Sequence, residues 1–129
     1  MSKYYKLNYN WGYKQWKHSD DVLLEAIITS NIKIAENILV QWLNSLEKGA
    51  TSVDEQNITC WYYGGVWIHY VTNENTISLY MHSSGEDAFD SIAYSANEVA
   101  KILHQTPSTT NIKWVEHPHR RNNIKETAK

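Results

Sequence analysis

A single cysteine in 129 residues removes two architectures at once. Cys60 has no second thiol for an intrachain disulfide, and one thiolate cannot build a cysteine-rich zinc site. Its expected role is a small hydrophobe packed in a strand. Long apolar runs are missing too. None approaches the roughly 18 residues that a membrane span requires, and the opening MSKYYKLNYN lacks the apolar centre of a signal peptide. The expectation is a cytoplasmic protein with no membrane partner. No GxxxxGK[ST], GxGxxG or GxSxG occurs, so the chain has neither a phosphate-cradling loop of those types nor a nucleophile elbow. EF-hand spacing is also lacking. Phenylalanine is nearly absent: one Phe stands against nine Tyr and six Trp. Tyr and Trp carry large apolar area with a polar handle, which suits half-exposed sheet faces and binding surfaces.

What is present is ordinary for a globular chain. With 42% hydrophobic and 20% charged residues, it lies outside the compositional range of disorder. The length fits one domain, expected over residues 1–116, with 117–129 as a polar basic tail that is flexible. Charge divides along the same line. Residues 1–112 hold seven Lys/Arg against twelve Asp/Glu, a net −5, and residues 113–129 hold five against two, a net +3. An acidic body argues against broad nucleic-acid binding, which draws on Lys/Arg contacts to phosphate. It suits a basic protein partner.

Periodicity predicts an α+β fold: an antiparallel meander of four to six strands, packed by two N-terminal helices and one short C-terminal helix. Tyr5, Tyr9, Trp11 and Tyr13 recur at even steps within residues 4–16 and predict a strand or strand pair. Ser19 or Asp20 reads as an N-cap, and Val22, Leu23, Ala26 and Ile27 follow at helical spacing. After a break at residues 29–31, Ile32, Ala35, Leu39, Trp42 and Leu46 form the stripe of a second helix, stopped at Lys48-Gly49. One continuous helix over 20–48 is the alternative. Residues 49–56 read as a loop. Gly64-Gly65 joins strands over 58–63 and 66–71, a third strand covers 76–82, and residues 89–94 read as a short fourth. Ser95-Ala96-Asn97-Glu98 has the form of a capping box and opens the last helix, ahead of a closing strand at Ile112–Trp114.

Three constellations carry possible chemistry. His69 and His82 lie on adjacent predicted strands and approach across the sheet if the register allows. His117-Pro118-His119 puts two imidazoles on one side of an extended chain, but no third ligand is locally spaced, so no metal site is expected. Glu86, Asp87 and Asp90 form an acidic cluster after the third strand. No cofactor is expected.

From about residue 60 to 115 the order of elements is specific enough to compare. A strand Ile77-Ser78-Leu79-Tyr80-Met81 leads to an acidic loop and a segment ending at Tyr94; the helix 95–103 and a strand ending at Ile112-Lys113-Trp114 follow. This order resembles the bacterial immunity proteins of the Imm1 type, in which a helix precedes a closing strand with a Trp. The resemblance implies a non-enzymatic protein that binds and neutralises a cognate toxin domain, often a nuclease. A small, acidic, aromatic-rich body fits that role, because an inhibitor needs a complementary surface rather than a reaction site. The expected partner contacts are Glu86, Asp87 and Asp90 with Trp61, Tyr62, Trp67 and Tyr80 as anchors, of which half must face the core because strand neighbours alternate. The alternative is a small metal-dependent or hydrolytic enzyme built on His69, His82 and the acidic loop.

Overall fold

A computed structural model describes residues 5–14, 20–53, 56–105, 111–118 and 120–121. Its elements are β1 (Asp20–Ile28), α1 (Ile32–Leu43), β2 (Glu47–Val53), β3 (Gln56–Tyr63), β4 (Val66–Thr72), β5 (Ile77–Ser84), α2 (Ala88–Leu103), β6 (Ile112–Glu116) and the short β7 (Arg120–Arg121). The fold class is α+β, with one antiparallel open sheet in the order β2-β3-β4-β5-β1-β6 and β7 paired to β1.

The meander β3-β4-β5 forms where alternation and turn chemistry agree. Gly64 and Gly65 have φ of 57° and 88°, which lets a two-residue turn match the twist of its strands. Val66, Ile68, Ile77, Leu79 and Met81 are wholly buried on one face. In α1 the buried Ala35, Leu39 and Leu43 supply the expected stripe. Each Leu side chain so buried contributes about 1.5–3 kcal/mol.

Four expectations are corrected. Residues 20–28 are not a helix but β1, which inserts between β5 and β6. Its Val22, Leu24, Ala26 and Ile28 are fully buried at a period of two. A strand flanked on both sides reads as a nearly continuous apolar run, and such a run also satisfies helical spacing. The continuous helix over 20–48 falls with it, so one N-terminal α-helix replaces two. Second, α1 ends at Leu43, while Lys48 and Gly49 belong to β2, an edge strand where a loop was expected. Third, residues 89–94 and the capping box at Ser95 merge into one helix, α2. Phe89, Ile92, Ala96, Val99 and Leu103 are its buried stripe, and Ser95 is buried mid-helix, its hydroxyl 3.5 Å from the Tyr63 carbonyl oxygen it donates to. Fourth, the aromatic segment near the N-terminus holds a single π-helical turn, Asn10–Lys14, rather than a strand. Tyr5 is buried and Tyr9 exposed, and Trp11 packs edge-on against Phe89 at 5.3 Å. Residues 4, 15 and 16 of that expected strand lie outside the described residues.

Helix α2 packs on β5, β1 and β4, and α1 packs on α2. Trp42 of α1 meets Tyr63 of β3 at 5.2 Å. Both helices therefore cover the same face of the sheet. Of the expected tail, β7 pairs Arg120 with Asp21 and Arg121 with Asp20, while His119 and residues 122–129 lie outside the described residues. Among the described residues no helix is long and apolar enough to cross a membrane.

Candidate functional site

The sheet face opposite the helices follows from register. Ile68 and Met81 face the core, so their neighbours Trp67, His69, Tyr80 and His82 point the other way. On this open face the pairings Tyr62–Trp67, Trp67–His82 and His82–Leu23 make one row across four strands. His69–Tyr80 and Tyr80–Glu25 make the next. Cys60 enters that second row one step beyond the last paired residues Trp61 and Ile68, and its other neighbour is Gly49 of β2.

The two rows are bound together by rings. Tyr62 and Trp67 lie 5.0 Å apart, His69 stacks on Tyr80 at 4.9 Å, and His69 meets His82 edge-on at 5.8 Å. The Trp67 indole reaches across β3 toward β2, so a Cβ on Gly49 would lie 3.4 Å from its Cη2 and Cζ3 atoms. Gly49 thus leaves the seat on which the indole lies, beside Cys60, which is fully buried.

Beneath this aromatic cover, Cys60, His69 and His82 bring a thiol and two imidazoles together, with one donor atom from each within 4.8 Å of the others. Burial pushes the Cys60 thiol above its ordinary value, which keeps it protonated and weakly nucleophilic at neutral pH. Burial lowers the His69 value, which favours the neutral ring. Nδ1 of His69 is buried without a hydrogen-bond partner. Leaving such an atom unmatched costs about 1–3 kcal/mol.

Further along the same face, His117 Nε2 lies 2.8 Å from Glu25 Oε1. The Glu25 residue is only 8% exposed, so this pairing satisfies a carboxylate that the sheet has largely removed from water.

The expected contact residues sort by face. Tyr62, Trp67 and Tyr80 share the open face, with Tyr62 37% exposed. Trp61 points to the helix side, where it stacks on Tyr70 at 6.1 Å and lies under Lys48. Glu86 and Asp87 are exposed in the turn after β5, and Asp90 is exposed in the first turn of α2. That turn follows Ser84, at the end of the sheet where the Gly64-Gly65 hairpin lies; Ser83 donates to the Gly65 carbonyl there at 2.7 Å. The acidic residues therefore border the end of the face that carries Tyr62 and Trp67, but they are not part of the Cys60–His69–His82 group. The approach of His69 to His82 follows the expected meander. Joining Cys60 to them needs one more step: a two-residue turn at 64–65 pairs Tyr63 with Val66, and counting outward sets Cys60 opposite His69. Glu25 and His117 carry no comparable signal in the sequence, because the spacing around Glu25 imitates a helix.

Compared with known proteins, the chain matches no family model, no curated protein and no solved structure.

Proposed function

We propose that this chain is an immunity-type protein that binds and neutralises a basic toxin domain, working in the cytoplasm, with the helix-free sheet face as its contact surface. The observation that carries the reading is the row Tyr62–Trp67–His82–Leu23, a strip of three rings and a leucine across four strands that no helix among the described residues covers. Aromatic anchors in such a patch supply a large share of binding energy, because they bury much area with few rotors to freeze. Glu86 and Asp87, in the turn that follows β5 just beyond His82, give the negative potential that would steer a basic partner into place. The body's net −5 over residues 1–112 has the same sign. Strand β5, the acidic turn, helix α2 and the Trp-bearing β6 follow one another as in the order that suggested the resemblance to immunity proteins, although the separate segment over 89–94 is part of α2.

The test is direct association with the protein encoded beside this one, or with its isolated C-terminal domain. Sub-micromolar binding is expected, weakened at least tenfold by Trp67→Ala or Tyr62→Ala on the open face. Trp61→Ala, on the helix side, should instead lower thermal stability and leave affinity within a few-fold. No binding by the neighbouring gene product, or equal loss from Trp61→Ala and Trp67→Ala, would remove the reading.

A further inference from the structure

We propose that Cys60, His69 and His82 form a three-ligand site for a thiophilic divalent transition ion of the zinc class, built across β3, β4 and β5. The donor set is the first argument. One thiolate and two imidazoles suit a borderline-soft ion and leave one coordination position for water or an exogenous ligand. Hard cations such as magnesium or calcium prefer an all-oxygen shell, which these side chains do not offer.

Geometry is the second argument. The donors lie within 4.8 Å of one another. A tetrahedral ion at ordinary zinc distances holds sulfur and nitrogen donors about 3.3–3.6 Å apart. The three groups need to close by roughly 1 Å, which side-chain torsions supply without moving the strands. Three adjacent paired strands fix the Cα positions, so little conformational entropy is lost when the ion enters.

The third argument is the unmatched atom. His69 Nδ1 is buried and accepts or donates no hydrogen bond. Coordination at His69 would either use this nitrogen or fix the tautomer of the ring around it. Binding replaces the Cys60 S–H bond with a sulfur–metal bond and releases that proton to solvent, so no oxidant or reductant is consumed. The site does not depend on the toxin-binding reading, since ion binding is measured on the chain alone.

The experiment is a titration of the full reduced chain, first stripped with chelator, using Zn²⁺ in competition with a chromophoric chelator and then Co²⁺ alone. One Zn²⁺ per chain at micromolar affinity or tighter is expected, with a thiolate-to-cobalt charge-transfer band in the near ultraviolet. Cys60→Ser should abolish that band. His69→Gln and His82→Gln should each weaken Zn²⁺ binding at least tenfold, while His104→Gln at the end of α2 leaves it unchanged. Absence of micromolar binding overturns the proposal. So does binding without the thiolate band, which would mark capture by surface histidines. The cobalt spectrum of the unaltered chain decides the matter even if a variant fails to fold.

Discussion

His117 and Glu25 meet across 92 positions of sequence, with Nε2 of the imidazole 2.8 Å from Oε1 of the carboxylate. An ionised carboxylate only accepts, so the ring is the donor. The same residue accepts a hydrogen bond from Trp11 Nε1 at its own carbonyl, 2.6 Å away, and its amide donates to the Leu23 carbonyl. One residue past β6 thus ties that strand's end to β1 and to the π turn. His117→Ala leaves a largely buried carboxylate without this donor and should destabilise the fold by about 1–2 kcal/mol. Urea unfolding of the variant checks this, and an unchanged midpoint would contradict the pairing.

Gly49 sets the position of Trp67. An alanine there would place its methyl at ordinary contact distance, 3.4 Å from the indole, and should be tolerated within about 1 kcal/mol. A leucine would not fit without moving the ring. Gly49→Leu is expected to alter the tryptophan emission spectrum and expose Cys60 to thiol reagents, whereas Gly49→Ala should change neither. Labelling of the two variants with a chromogenic disulfide reagent separates the cases.

Tyr63 governs part of the alkaline limb. Its phenol is pushed up to about 12, first by burial, then by its hydrogen bond with Tyr94 and the nearby Glu98 and Tyr94 charges. The unfolded chain loses this proton near 10.0 and the folded chain holds it longer. Stability from this group is therefore complete below pH 10 and is lost as pH rises from 10 toward about 12. Tyr63→Phe should flatten that loss, read as unfolding midpoints at pH 9 through 11.5. A slope equal to that of the parent chain would show that Tyr63 is not the group concerned.

Elements with one reading at every level were legible in the sequence. Gly64-Gly65 and the alternation of Ile77, Leu79 and Met81 led to the meander, and Ala35 and Leu39 led to α1. The misread elements each satisfied two patterns. Asp20 and Asp21 ahead of Val22, Leu23, Ala26 and Ile27 imitate a capped helix, yet β1 gains both its neighbours only from distant segments. Ser95 and Glu98 imitate a helix start, but Ser95 is a small residue admitted mid-helix where α2 approaches the Tyr63 carbonyl. Polar β2 carries no local signal, because its pairing to β3 is what makes it a strand. At the site, His69 and His82 were legible as strand neighbours, whereas Glu25 and His117 meet only through tertiary pairing.

The place of β1 in the sheet also orders events during synthesis. It precedes both its neighbours in the chain, and the partners of Leu24, Met81 and Glu116, are made long after it. At about 5–20 residues per second, the wait from Leu24 to Glu116 is on the order of 5–20 s. Until β5 is made, Leu23, Leu24, Ile27 and Ile28 have no strand to pair with on either side, and until β6 is made they can pair on one side only. A nascent chain stalled before β6 would keep one flank of β1 open as a sticky template for its neighbours on a polysome. Synthesis of β6 is therefore the step that closes the second flank of β1 and makes the protein safe from itself.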